Sequence, residues 1–368
     1  MKLKKLILII IPFLLIGCTH DMNRREIDEI NFVQVMGIDY SEGEYTLSAL
    51  ISSDAGTDPE KGKSGKEEIM EATGKTPYAA FEELKLKSKK SLSVANTGYF
   101  LIGDAAATEG IKKCLDFISH DETIKMESLI FVTREMKASD FLNQGIENQQ
   151  MVHEDLEAVK QKQHDLVTRN DNTLVNILNE MEQVYYSLLV PYLVSEEKAF
   201  LIRGYAVFDD LKLADYLDME TSSGVNFIKD IIRVYPVYLE EEASLSLSYS
   251  NTKLKSKLDH GRVTVSIMVD FETMVEEVET DKNIYTQDEL TRLTDKQNEY
   301  IKNIIKKAVD YSTTTGRDIL KISQLVENQH VKEWKNLKEG WKAEISEIEY
   351  QYVVRSKISK SFILKSGR

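Results

Sequence analysis

"RVTVSIMVDFETMVEEV", residues 262–278, places Val263, Val265, Ile267, Val269 and Phe271 at every second position. Successive side chains of a strand point to opposite faces, so this spacing describes a strand with one face buried and one in water. Half-buried strands are the mark of antiparallel sheets. "VYPVYL" and "ASLSLSYSNTKLKSKL", just upstream, extend the pattern, so residues 234–280 read as antiparallel strands. Downstream the period changes. In "TQDELTRLTDKQNEYIKNIIKKAVDYS", Thr286 and Glu289 form a capping box, and Leu290, Leu293, Ile301, Ile304, Ile305 and Ala308 share one helix face. A second helix is expected over Asp318–Glu333, and a last strand in "EISEIEYQYVVRSKI".

The N-terminal half has another rhythm. "NFVQVMGIDY" and "EYTLSALIS" read as strands around a hairpin turn in "SEGE", followed by a Gly/Ser/Asp/Lys-rich loop leading into a short strand at Glu67–Ala72. Thr76 and Pro77 open a helix as N-cap and first helical residue. Helix and strand then alternate: strand "TGYFLIGDAA", helix Thr108–Ser119, strand "ESLIFVTRE", short helix "KASDFLNQG" closing on Gly145. Residues 149–190 read as helical up to Pro191. "KAFLIRGYAVFDDLKLADYL" is a strand that turns at Asp209-Asp210 and continues, and "SSGVNFIKDII" is a short helix. The expected fold is multi-domain α+β, with a mixed N-terminal α/β-type sheet with helices and a C-terminal antiparallel sheet packed with long helices. Its parts are a signal segment (1–17), an N-terminal domain (18–192), a small middle segment (193–232) and a C-terminal domain (233–368).

The chain starts "MKLKK", followed by the unbroken apolar run Leu6–Ile16 and then Gly17-Cys18. A basic start, a short apolar core and a small residue make a signal peptide. The core is well short of the roughly 20 residues that span a bilayer. "LIGC", residues 15–18, matches a bacterial lipobox: the thiol takes a diacylglyceryl group as a thioether, and the peptidase tolerates only a small residue before it. Cys18 is therefore the expected lipidation site and first mature residue. Cys114, the other cysteine, sits at helical spacing with Ile111, Leu115 and Ile118 and reads as a small buried hydrophobe.

The net charge is −14, and −17 once the three lysines of residues 1–17 are gone. Such a chain is not expected to bind nucleic acid, nor is its body expected to stick to anionic lipid, so the anchor must hold it at the membrane. The sequence contains no phosphate-binding loop, dinucleotide fingerprint, nucleophile elbow, zinc-protease motif or CxxC pair. His20, His120, His153, His164, His260 and His330 are scattered without metal-ligand spacing. Glu240–Glu242 reads as a solvated strand end or turn, Asp209-Asp210 as a turn, and Asp39 as a hydrogen-bonding residue at a strand end. No catalytic residue, metal site or cofactor is expected.

Four stretches together resemble the spore germination receptor C subunits, the Ger(x)C lipoproteins. They are "NRREIDEINFVQVMGIDY" behind the lipobox, "TGYFLIGDAAATEGIKKCLDFISHD", "IRGYAVFDDLKLADYLDMETSSGVNFI", and the ending from Glu333 with Trp334 and Trp341 in its two Trp positions. Thr19 and Ala214 depart from the frequent Trp and Gly of the family. The resemblance implies a non-enzymatic, lipid-anchored body on the extracytoplasmic face of the spore inner membrane. It implies assembly with membrane-embedded A and B subunits. Arg24, Arg25 and Glu26 match the family's opening motif, as a docking element near the membrane or as local ion pairs that start the fold. An extracytoplasmic solute-binding lipoprotein, with two similar α/β lobes, is the alternative reading.

Overall fold

The computed structural model describes residues 29–53, 66–163, 172–279 and 284–359. The first sheet collects β1 (Ile30–Ser41), β2 (Glu44–Ser53), β3 (Lys66–Gly74), β4 (Ser91–Ser93), β5 (Tyr99–Gly103), β6 (Leu129–Thr133), β7 (Leu188–Glu196), β8 (Ala199–Asp209) and β9 (Lys212–Leu217). Their order is β3-β2-β1-β5-β6-β7-β8-β9, with β4 beside the start of β1. β1, β5, β6 and β7 run parallel, and antiparallel pairs flank them on both sides. "YFLIG" and "LIFVT" are buried at every position, as strands covered on both faces must be. The β1–β2 turn has Glu42 at φ 52° and Gly43 at φ 84°, the left-handed pair that a two-residue hairpin demands.

Helices α1 (Pro77–Lys87), α2 (Asp104–Gly110), α3 (Lys112–Ser119) and α6 (Leu174–Met181) cover one face of this sheet; α4 (Ala138–Glu147) and α5 (Val152–Gln163) cover part of the other. Thr76 Oγ1 accepts the Ala79 N–H at 3.1 Å, the expected cap. The helix expected over 108–119 starts at Asp104 and breaks at Gly110, whose φ is +142°. The helical reading of 149–190 holds for α5 and α6, but Leu188 already begins β7, and Pro191 sits inside that strand opposite Tyr205. A short apolar run such as "LLVPYL" has no period that separates a buried strand from a buried helix.

The second sheet orders β10 (Tyr235–Leu239), β11 (Ala243–Asp259), β12 (Arg262–Val278) and β13 (Glu349–Ser359). Val263, Val265, Ile267, Val269 and Phe271 all face its core. β10 to β12 are antiparallel as expected, while β13 joins β12 in parallel. A parallel neighbour needs a crossover, supplied by α8 (Gln287–Thr315), α9 (Ile322–Gln329), α10 (Val331–Leu337) and α11 (Trp341–Glu344). Thr286 caps α8 by accepting the Glu289 N–H. The helix expected over 318–333 is divided at His330 into α9 and α10.

Residues 193–232 join the two sheets. β8 and β9 complete the first one, while α7 (Met219–Ile228) packs on α8. On β8, Phe200 and Ile202 enter the core under α4 and α5; beyond Gly204, Tyr205 and Val207 enter the second sheet's core, and Ala206 and Phe208 enter the opposite one. The register slips by one residue there: Tyr192 faces Gly204, but Leu193 faces Ile202. This bulge keeps residues 200, 202, 205 and 207 on one side of the sheet. Gly204 has φ +147°, and a Cβ on it would lie 2.1 Å from the Leu217 carbonyl oxygen.

The α7–α8 contact is equally close. A Cβ on Gly224 would stand 2.4 Å from the Ile304 carbonyl oxygen and 2.9 Å from Ala308 Cβ. Gly224→Ala gains helix propensity yet forces two helices apart, so a net loss of about 1–3 kcal/mol is expected by urea unfolding. Gly98→Ala, whose added Cβ meets nothing within 4 Å, is the matched control and is expected to stay within about 0.5 kcal/mol of the parent.

Candidate functional site

Three helices have their first N–H groups taken by a buried carboxylate, supplied by a distant strand in two cases and by the turn just before the helix in the third. Asp39, at the end of β1, accepts the N–H groups of Ala138 (2.7 Å) and Ser139 (2.9 Å) at the start of α4. Glu67 on β3 accepts those of Val152 (2.7 Å) and His153 (3.1 Å) at the start of α5. Asp318 accepts those of Ile322 (2.8 Å) and Ser323 (2.7 Å) at the start of α9. All three are buried, and desolvation raises each carboxyl above its ordinary range against the pull of the N–H donors. The reading of Asp39 as a strand-end hydrogen-bonding residue holds. Its partners, about a hundred residues away, carry no local signal except α4's missing N-cap.

Asp318 stands at the joint between the two halves. The indole Nε1–H of Trp341 donates to it at 3.2 Å, and the Ser187 N–H donates to its backbone carbonyl at 3.1 Å. Trp341 meets Trp334 edge-on at 5.0 Å between centroids, and Trp334 meets Tyr185 in the same way at 5.2 Å. The two tryptophans of the C-terminal motif therefore bind the crossover helices to the segment entering β7. Lys321 pairs with Glu180 and lies 4.9 Å over the Tyr186 ring. Asp209, in the β8–β9 turn, holds Lys342 at 2.8 Å and sits 3.7 Å from Arg317. A crevice of about 550 Å³ runs along this joint. Its carboxylates and cations are largely spent on each other, an arrangement suited to holding two bodies in register.

The remaining candidates are separate. Glu242, in the β10–β11 turn, is gripped by Arg292 at 2.8 Å and by Lys296, and this pairing holds its carboxyl down at about 2. Cys114 is fully buried, and burial pushes its thiol up to about 12, too high for a reactive thiolate. His153 packs edge-on against Tyr99. Among the described residues, no group of three His, Cys, Asp or Glu side chains is placed to hold a metal ion. Cys18, Arg24, Arg25, Glu26, His20 and His164 lie outside the described residues.

Two expectations test this geometry. Trp341→Phe keeps the ring contact with Trp334 but removes the donor to Asp318, and about 1.5–3 kcal/mol of stability is expected to go with it; Trp341→Ala is expected to cost about 3–5 kcal/mol, both read by far-ultraviolet circular dichroism in urea. Glu242's folded-state value lies below its unfolded one, so its stabilising share is present above the unfolded value and lost as pH falls toward about 2. Below about pH 4.5 the parent is thus expected to lose stability more steeply than Glu242→Gln, measured as unfolding midpoint against pH.

Two family models match the chain in succession: the spore germination protein N-terminal domain over residues 23–195, and the spore germination B3/GerAC-like C-terminal domain over residues 203–361. Spore germination protein B3 of Bacillus subtilis (strain 168) is 21% identical over 368 residues, covering 94% of this chain and 95% of that protein. The putative spore germination protein YfkR of the same organism is 23% identical over 328 residues, covering 85% of this chain and 80% of its own length. The crystal structure of the GerBC protein superposes with a TM-score of 0.57 at 17% identity, covering 88% of this chain and 96% of that one, and so shares the fold.

Proposed function

This chain belongs to the family of GerAC-like spore germination proteins, and from that membership we propose that it is the lipid-anchored, non-enzymatic C subunit of a spore nutrient germinant receptor. It assembles with the membrane-embedded A and B subunits on the outer face of the spore inner membrane and is needed for their signalling. The carrying observation is the succession of both family domains, in order, behind the Leu15–Cys18 lipobox. Among the described residues no helix is long and apolar enough to cross a membrane, so in this reading Cys18 supplies the attachment. Two acyl chains on one residue make a stable anchor, where a single chain makes a reversible one. Arg24, Arg25 and Glu26 follow within a few residues and act at the lipid surface or in ion pairs at the entry to the fold. The joint around Asp318 and the two tryptophans supports a body that transmits force as one piece. Among the described residues a nine-stranded and a four-stranded sheet make unlike lobes, which speaks against the solute-binding alternative.

Spores carrying Cys18→Ala test the proposal, with dipicolinate release measured after addition of nutrient and the protein's level and membrane fraction followed in parallel. The expected outcome is lost release with the protein present but no longer membrane-bound. Normal release from spores in which the protein is soluble would overturn the anchored-subunit reading. Normal release with the protein retained in the membrane would transfer the anchoring role to the other subunits.

A further inference from the structure

A concentrated basic segment of the body lies where the chain enters the fold. "KLKSKK", residues 85–90, places four lysines in six residues of a chain whose net charge is −14. It spans the end of α1 and the approach to β4. β4 pairs in parallel with the first residues of β1: Ile30 with Ser91, Asn31 with Leu92, Phe32 with Ser93. Asn31 Nδ2 also donates to Ser88 Oγ at 3.3 Å. A cleft of about 720 Å³ opens beside this pairing, and Ile30, Lys85, Lys89 and Lys90 line it with a single carboxylate, Asp121. That carboxylate is occupied by the N–H and hydroxyl of Thr123, at 2.9 and 2.6 Å. Lys85 pairs with Glu82 at 2.6 Å, and Lys87 donates to the Glu71 carbonyl; Lys89 and Lys90 are exposed and form no ion pair among the described residues. Between the lysines Leu86 stands 80% exposed, and Tyr78, on the same helix, 63%.

We propose that this edge, Leu86 with Lys85, Lys87, Lys89 and Lys90, is the face the body lays on an anionic phospholipid surface. The inference rests on Cys18 carrying the lipid. Eleven residues separate Cys18 from Ile30, a span of at most about 43 Å, so the edge beside Ile30 stays within that reach of the bilayer whatever path the intervening chain takes. Lysine heads around a protruding leucine suit an interface in which charges meet phosphates and the apolar side chain enters the headgroup layer. The body's negative net charge does not forbid this. Charges beyond a Debye length of about 8 Å are screened, so the nearest residues decide. Tethering turns a weak contact into an intramolecular one with a high effective concentration.

The test uses the full acylated chain carrying Leu86→Cys, labelled with bimane and reconstituted with brominated lipid; Tyr238→Cys on the second sheet is the control site. Flotation with the vesicles reports the anchor, and quenching of the label reports the face. Quenching at residue 86 is expected on phosphatidylglycerol vesicles, weaker on pure phosphatidylcholine, and reversed by salt, with residue 238 unquenched. Each lysine strengthens such a contact about fivefold, so Lys89→Gln/Lys90→Gln is expected to lower the docked-to-undocked ratio about 25-fold without affecting flotation. A chain that floats while residue 86 stays bright keeps the anchor and overturns the docking face. Quenching at residue 86 in a chain whose flotation survives Cys18→Ala supports the face and removes the anchor from it. A bright label on vesicles, together with loss of nutrient-triggered release in Lys89→Gln/Lys90→Gln spores, would assign the edge to a protein partner and overturn the lipid surface.

Discussion

A single extra residue in β8 holds the two halves of this molecule together. A strand buried on both sides serves one core with its even positions and another with its odd ones. The bulge at Gly204 changes that parity midway, so Phe200, Ile202, Tyr205 and Val207 all face the side on which both α4–α5 and the second sheet sit. Without it, Tyr205 and Val207 would point toward α1–α3 and the second core would lose its shared wall. The backbone at this point has a positive φ and the Leu217 carbonyl directly above it, conditions only glycine meets without displacement. The second sheet thus docks through a common core, and little freedom remains for the halves to move as separate bodies.

The buried carboxylates complete this rigidity in a different way. A helix start leaves backbone N–H groups to be satisfied, usually by a neighbouring Ser, Thr, Asp or Asn. Asp39, Glu67 and Asp318 satisfy them from β1, from β3 and from the turn before α9. Each bond that satisfies a helix also fixes its position against the element supplying the carboxylate. The desolvation cost of three buried acids is offset by paired donors, two for each and a third, the Trp341 indole, for Asp318. Acidic side chains in crevices often signal catalysis. Here their oxygens already accept backbone N–H groups, and among the described residues no group of three His, Cys, Asp or Glu side chains is placed to hold a metal ion.

What could be read from the sequence was local. The alternation from Val263 to Phe271, the caps at Thr76 and Thr286 and the hairpin in "SEGE" each occupy fewer than a dozen consecutive residues, and each reading agrees with the structure. What could not be read depended on distant partners. Pro191 looked like a helix stop because its strand is sandwiched between neighbours that the sequence does not place. β13 could not be assigned its parallel direction before the crossover helices were seen to pack beneath the sheet. Trp334 and Trp341 stood out only through resemblance; their meeting with Tyr185 and Asp318 closes gaps of well over a hundred residues in the first case and a folded-back crossover in the second.

The same distinction governs how the surface is used. Net charge is a sum over the whole chain, and by that sum this body avoids anionic surfaces. A tethered body, however, presents the surface nearest its tether, and that is decided by strand order. β1 is a central strand, but its first three residues run beyond β5 and pair instead with Ser91–Ser93. Residues sixty apart in sequence become neighbours, and the lysines following α1 come to lie where the chain arrives from its lipid. Composition describes the average surface of the molecule. Sheet topology selects which part of that surface is held within reach of the membrane.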